Sequence, residues 1–223
     1  MNYQIAIDGP SATGKSSTAK LLAKELSFIY IDTGAMYRAI GLYFLNNNIS
    51  CDDEEKVNSE LNKINVTIGY SNGNQKVYLN GDDVTNFIRT NEVSHYASVV
   101  SSYKLVREKL VELQQELASN NNVIMDGRDI GTVVLPNAFL KIYMNATSEE
   151  RANRRYKELL EKGQNVLLPD VQKELEERDY RDTHRENSPL MKAIDAVELD
   201  TTCMTLEEVV NKIKEIYLEK RGN

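Results

Sequence analysis

The sequence predicts an α/β fold built on a doubly wound, mostly parallel sheet. Three observations predict it. Short apolar runs recur along the chain, separated by stretches with apolar residues at helical spacing. Most of these runs show little polar alternation, as in strands covered on both faces. The first run leads at once into a glycine-rich loop and then a helical pattern, the order in which such sheets carry a ligand loop.

The first strand is expected at residues 3–7, Tyr3-Gln4-Ile5-Ala6-Ile7. The loop Gly9-Pro10-Ser11-Ala12-Thr13-Gly14-Lys15-Ser16 matches the P-loop pattern, and a helix is expected over 18–26. Gly9 and Gly14 let successive N–H groups turn inward, and the helix N-terminus adds positive potential, so the loop suits phosphate. Gly9, Pro10, Ser11, Ala12, Thr13, Gly14, Lys15, Ser16 and Ser17 form the expected nucleoside triphosphate-binding set. Lys15 reaches the outer phosphates and the Ser16 hydroxyl suits Mg²⁺. Further strands are expected at 28–31, 123–125, 139–143 and 196–199. Between them, Tyr103, Val106, Leu110, Leu113 and Leu117 make one helical stripe. The last helix opens on Thr205 and Glu208 as a capping box and is expected to bury Leu206, Val209, Val210 and Ile213.

Two segments break this rhythm. Alternating runs at 66–70 and 76–80 flank Ser71-Asn72-Gly73-Asn74-Gln75, where Asn-Gly signals a hairpin, and Asn80-Gly81-Asp82-Asp83 is expected as the next turn. This reads as a small antiparallel lobe inserted in the core. The second segment, 151–185, holds six of the eleven arginines. Arg151, Arg154 and Arg155 share one helix face, behind a start capped by Thr147 and Glu150, and Arg178, Arg181 and Arg185 repeat the spacing. Two such helices joined by Gly163 and Pro169 suit a hinged, mobile cover. Guanidinium forks match phosphate oxygens, although Glu158, Glu161, Glu174 and Glu177 offer them ordinary surface partners too.

The 223 residues suffice for one α/β core with attachments. The net charge is −7, which disfavours sequence-independent binding of a nucleic-acid polymer. Cys51 and Cys203 lie far apart with no metal-like spacing and read as reduced thiols. No signal segment or membrane-length apolar run is seen. The expectation is a cytoplasmic monomer without a membrane or polymer partner. Asp32-Thr33-Gly34 and Asp126-Gly127-Arg128-Asp129 both follow strand ends, where open α/β sheets bind ligands. Asp32 also reads as a helix cap, and Asp126 as a carboxylate supporting Mg²⁺ through water. His95 and His184 read as structural.

Taken together, these residues resemble the bacterial cytidylate kinases. The motifs that carry the resemblance are Gly9-Pro10-Ser11, Asp32-Thr33-Gly34-Ala35-Met36-Tyr37-Arg38, Gly127-Arg128-Asp129-Ile130-Gly131-Thr132, Arg178-Asp179-x-x-Asp182-x-x-Arg185 and Ser188-Pro189-Leu190. The resemblance covers essentially the whole chain. It implies the three-layer P-loop nucleoside monophosphate kinase fold. The expected core is 1–38, 84–150 and 186–223, with a monophosphate-binding lobe at 39–83 and an arginine-rich helical lid at 151–185. It implies transfer of the γ-phosphoryl of ATP to CMP or dCMP with Mg²⁺. By the same resemblance Arg38, Arg128 and Arg185 hold the acceptor phosphate. Ser98, Arg107 and Asp129 read the cytosine, and Arg178 and Asp182 contact the sugar. Arg151 and Arg155 lie over the donor phosphates. Asp32 and Thr33 belong to the acceptor set, and Lys15, Arg128, Arg151, Arg155 and Arg185 are the expected catalytic groups. Ala12 and Thr33 stand where glycine and serine are common in that family; the hydroxyl is kept at Thr33.

The chemistry fits. An acceptor phosphate monoester has a second pKa of about 6 and is itself the nucleophile at neutral pH, so charge neutralisation and alignment matter more than a general base. Two other readings stay open. One is another small-molecule P-loop kinase, acting on a different nucleotide, on shikimate or on dephospho-coenzyme A. The other is a nucleotide-switched binding protein, which calls for Asn-Lys-x-Asp. Asn62-Lys63-Ile64-Asn65 and Asn211-Lys212-Ile213-Lys214 both lack the aspartate.

Overall fold

The computed structural model describes residues 2–71 and 73–222. Two compact units divide them, residues 1–30 with 121–223, and 31–120.

The first unit opens with β1 (Gln4–Asp8), whose Ile5, Ala6 and Ile7 are fully buried. Helix α1 (Lys15–Leu26) starts directly from the glycine loop, three residues earlier than its apolar pattern suggests. Gly14 at φ 89° turns the chain into it, and left-handed Ser27 ends it. Strand β2 (Ile29–Asp32) follows, and within it the chain passes from the first unit to the second.

In the second unit, α2 (Thr33–Asn46) packs along α4 (Asn91–Val100), so closely that a Cβ on Gly41 would lie 2.9 Å from the Ala97 nitrogen. Between these helices come α3 (Glu54–Glu60) and a sheet of β3 (Val66–Ser71), β4 (Asn74–Leu79) and β5 (Asp82–Asp83). The hairpin register pairs Ile68 with Val77 and Ser71 with Asn74, as the alternation predicts. Asn72, half of the Asn-Gly signal, lies outside the described residues. The expected turn at 80–83 is shorter than foreseen. Only Asn80 and Gly81 turn, both at positive φ, and Asp82 and Asp83 already pair with Leu79 and Tyr78. Helix α5 (Lys104–Ser119) buries Val106, Arg107, Leu110, Gln114 and Ala118, while Leu113 and Leu117 are half-buried. The face was therefore misjudged by about one position, because two polar residues, Arg107 and Gln114, occupy it.

Back in the first unit, β6 (Val123–Gly127) is fully buried and leads into a π-helical turn at Ile130–Val134. Then come β7 (Leu140–Asn145), α6 (Ser148–Glu161), α7 (Leu168–His184), β8 (Val197–Asp200) and α8 (Leu206–Gly222). The sheet order is β2-β6-β1-β7-β8; β1 runs parallel to β6 and β7, and β7 to β8. This is the α/β fold expected. β8 is the exception to burial, an edge strand that is mostly exposed. The capping box of α8 forms in full. The Thr205 N–H donates to Glu208 at 2.8 Å, and the Glu208 N–H donates to the Thr205 hydroxyl at 3.3 Å. Its buried stripe is Val209, Val210, Ile213 and Tyr217, packed with Leu22, Ile124 and Ile142. Leu206, expected in that stripe, is 37% exposed. Helical side chains lean toward the N-terminus, so that of the first residue projects past the helix end.

Candidate functional site

In the first unit the phosphate loop is built from both ends. Gly9 sits at φ 147°, and a Cβ there would lie 2.0 Å from the Met144 carbonyl oxygen, so only glycine lets β1 leave the sheet beside β7. Lys15 folds back over the loop, donating to the Pro10 carbonyl and, at 3.1 Å, to the Thr13 hydroxyl. Burial pushes the Lys15 ammonium well below its usual pKa and the Arg128 guanidinium adds to this, against the pull of Asp126, Asp179 and Asp8. Ala12 adopts the left-handed conformation at φ 61° and packs against the apolar cluster of Ala152, Leu159, Val171 and Leu175 between α6 and α7. A glycine would relieve the backbone and lose that contact.

Arginines and aspartates ring this loop. Arg128 donates to the Ser11 hydroxyl at 2.8 Å and to Asp182 at 2.8 Å. Asp182 is buried, which works against its charge, but Arg128, Arg178 and Arg185 hold its carboxyl below the usual range. Burial likewise opposes the Arg128 charge, and Asp182, Asp179 and Asp126 outweigh it. Arg151 pairs with Asp179 and donates to the Ser11 carbonyl at 3.2 Å. Asp179 in turn accepts from the Ser11 N–H at 3.1 Å. Arg185 lies 3.7 Å from Asp129 and donates to the Ser188 carbonyl at 2.8 Å, just beyond the end of α7. Arg155 engages Glu158 on its own helix at 2.9 Å. Arg154 ties α6 to the loop, donating to the carbonyls of Thr13 and Thr201. Thr147 caps α6 as expected, while Glu150 pairs with Arg154. Pro169 lies in the first turn of α7, where its missing N–H costs nothing.

The Ser16 hydroxyl donates to Asp126 at 2.7 Å, and the Tyr30 hydroxyl donates to the other Asp126 oxygen at 2.9 Å. A hydroxyl and a carboxylate side by side are hard oxygen donors of the kind Mg²⁺ takes. Among the described residues no group of three or more His, Cys, Asp or Glu is placed to hold a metal.

In the second unit Asp32 is the hub. Its carboxylate accepts from the Ala35 N–H at 2.8 Å, capping α2 as expected. It also accepts from Arg38 at 3.0 and 3.2 Å. The Gln75 amide grips the Asp32 backbone from both sides. Thr33 is buried at the helix start. Arg107 donates to the Ser101 carbonyl at 3.0 Å and lies over the Tyr37 ring at 5.5 Å, while Ser98 is buried a turn before Ser101 on α4.

The sequence reading missed several of these groups. Asp8 accepts from the Ile130 and Gly131 N–H groups at 2.8 and 2.7 Å, bracing the turn that follows Arg128 and Asp129. Burial pushes its pKa up to about 6 against those two hydrogen bonds. A charged residue ending an otherwise buried strand was the signal. Asp179 was visible in its motif but given no role, and Tyr30 was read as a strand residue only.

A profile of the cytidylate kinase family matches residues 5–219. The chain belongs to the cytidylate kinase family. It is 50% identical over 220 residues to the cytidylate kinase of Lactobacillus gasseri, covering 99% of this chain and 96% of that protein. It is 53% identical over 219 residues to that of Caldicellulosiruptor saccharolyticus, covering 98% and 97%. Among solved structures, a gluconokinase from Sinorhizobium meliloti aligns with a TM-score of 0.52 at 11% identity, over 97% of this chain and 92% of that one. That likeness concerns the fold alone. No helix among the described residues is long and apolar enough to cross a membrane.

Proposed function

We propose that the chain transfers the γ-phosphoryl group of ATP to CMP or dCMP, giving ADP and CDP or dCDP. The observation that carries this reading is the match to the cytidylate kinase family over nearly its full length, on a chain whose loop from Gly9 to Ser17 is built for phosphate. The loop N–H groups and Lys15 hold the donor phosphates. A bound triphosphate opposes the burial that lowers the Lys15 pKa, and so favours its ammonium form. Ser16, with Asp126 through water, holds Mg²⁺, which when bound neutralises the donor phosphate oxygens. Arg151 and Arg155 cover the donor. Arg38, Arg128 and Arg185 take the acceptor phosphate, exchanging their carboxylate partners for it.

Base and sugar are read by polar groups already held in place. Arg107, Ser98 and Asp129 take the cytosine edge, and Arg178 and Asp182 the sugar. Buried polar groups discriminate strongly because a wrong base leaves them unpaired. The acceptor lobe at 39–83 and the lid at 151–185 serve to exclude water, which would otherwise take the phosphoryl group. The protein acts as a cytoplasmic monomer on small nucleotides. The test is ADP release from Mg·ATP with CMP, dCMP, UMP, AMP and shikimate offered singly. Turnover strongest with CMP and dCMP is expected. Turnover strongest with another acceptor would discard the base-reading roles, and no turnover at all would discard the kinase reading.

A further inference from the structure

Resting on that reading, we infer that Asp8 is a positioning residue for phosphoryl transfer, one that sets the Arg128–Asp129 pair against the phosphate loop. Asp8 ends β1, and the next residue, Gly9, opens the loop. In the sheet register its backbone lies beside Gly127, the last residue of β6. Its carboxylate reaches past the next two residues, one oxygen accepting from the Ile130 N–H at 2.8 Å and the other from the Gly131 N–H at 2.7 Å. One residue thus fixes the chain on both sides of Arg128 and Asp129, and the same residue is the root of the loop. The groups assigned to the donor and to the acceptor share a single anchor.

The π-helical turn at Ile130–Val134 takes its cap from another strand. The first N–H groups of a helical turn have no partner inside it, and Asp129, which starts this one, makes no side-chain cap. The Asp129 carboxylate lies 3.7 Å from Arg185 instead, and Asp8 caps the turn in its place. Gly131 makes room for this. A Cβ there would come within 3.3 Å of Asp8 Oδ2 and 3.1 Å of the Lys141 stem. Lys141 is itself buried and donates to the Pro136 carbonyl at 2.6 Å and to Asp195 at 2.8 Å, so the turn is gripped from two sides. The bland alternative is a brace that serves folding alone, and burial argues against it. Asp8 is only 5% exposed, and burial outweighs both hydrogen bonds in raising its pKa, so the fold carries a carboxylate that it would hold more easily uncharged. Two oxygens on two adjacent N–H groups fix the turn in rotation as well as in distance. Alignment of a transferring phosphoryl group demands that; folding does not.

The test is steady-state kinetics of Asp8→Asn and Gly131→Ala, at a temperature where circular dichroism shows each variant folded. Phosphate release from Mg·ATP without an acceptor is measured beside it. Asp8→Asn replaces one of the two accepting oxygens by an NH2 group. It is expected to lower kcat/KM for CMP by about tenfold or more, while the KM for ATP and the acceptor-free hydrolysis stay within about twofold. Gly131→Ala keeps the carboxylate but displaces the turn, and should lose about threefold or more in the same constant alone. A kcat/KM for CMP within about twofold of wild type in Asp8→Asn would overturn the inference. So would acceptor-free hydrolysis that falls in step with it, since Asp8 would then act only on the loop or on the folded fraction. Should Asp8→Asn fail to fold, Gly131→Ala decides, and a loss not confined to CMP overturns the inference. A wild-type protein that forms no CDP refutes the functional reading itself, and is recognised before any variant is made.

Discussion

Asp182→Ala is the perturbation whose size the structure allows to be worked out. Its side chain is 6% exposed and that of its partner Arg128 is 18% exposed, so solvent screens the pair weakly. Removing one partner of a buried ion pair costs about 3–5 kcal/mol, because the other charge is stranded. Arg128 keeps the Ser11 hydroxyl and the Gly127 carbonyl, which places the loss at the lower end, about 3 kcal/mol. For a chain of this length each kcal/mol moves the melting temperature by roughly 2–4 °C, so a fall of roughly 6–12 °C is expected at pH 7. Circular dichroism melts of Asp182→Ala, Arg128→Ala and the double variant read this out. The double variant leaves neither member of this pair without the other and should lose less than the two single losses added together. The pH dependence has a fixed sign. The folded pKa of Asp182 lies below its ordinary 3.8, so its stabilisation is fully present above that value and disappears as the pH falls through the folded pKa. The gap between wild type and Asp182→Ala must therefore close in acid. A fall under about 2 °C at pH 7, or strictly additive losses, would refute the argument.

Three further outcomes are expected. Lys15→Ala should cut turnover by about a hundredfold or more while leaving the far-ultraviolet circular dichroism unchanged, since on the proposed function it removes the side chain that holds the donor phosphates. Gly9→Ala should unfold at lower temperature and lose the stabilisation that added ATP confers, because its new methyl would meet the Met144 carbonyl at 2.0 Å and the sheet must open to admit it. A melting temperature within a degree of wild type would contradict this. Asp8, whose pKa is pushed from 3.8 up to about 6, acts opposite in sign to Asp182. Its contribution is fully present below 3.8 and is lost as the pH rises through 6, on the order of 3 kcal/mol. Denaturant titrations between pH 4 and 7 should show that fall in wild type and a flatter profile in Asp8→Asn.

The parts of the molecule legible in the sequence were those fixed by local rules. The P-loop, the capping box of Thr205 and Glu208 and the hairpin expected from the runs at 66–70 and 76–80 each depend on residues a few positions apart, and each formed, the hairpin with Ser71, Asn74 and Gln75 drawn from the expected turn into its strands. What stayed hidden depends on contacts made over long separations. Arg107 and Gln114 broke the stripe of α5 because their polar groups are buried there, which no periodicity of apolar residues can reveal. The Asp8 bonds to Ile130 and Gly131 span more than a hundred residues. The arginines of 151–185 were counted correctly and Glu158 was among their expected partners, but the separate ways the other arginines turn were not foreseen. Arg151 turns to Asp179 and the Ser11 carbonyl, Arg155 to Glu158, and Arg154 to Thr13 and Thr201. Helical spacing places side chains on one face; the partner each one finds is set by tertiary packing.

An acidic chain that binds polyanions poses a physical problem, and these aspartates answer it. Net charge is −7, yet guanidinium groups gather around both the loop and Asp32. Left alone, they would repel one another and splay into solvent. Instead Arg38 is held by Asp32, Arg128 by Asp182, Arg151 by Asp179 and Arg185 by Asp129. Each carboxylate orients a fork and cancels its charge, so the array is organised before a ligand arrives and the ordering cost is met in folding. The arrangement also sets a threshold. A ligand must compete with an internal carboxylate already in contact, which a weakly bound monoanion does poorly. A dianionic phosphate carries twice the charge of each carboxylate it displaces and accepts hydrogen bonds from several forks at once. On the proposed function the aspartates thus make the arginines selective for phosphate, and since each carboxylate cancels one guanidinium, these four pairs add nothing to the total charge of −7.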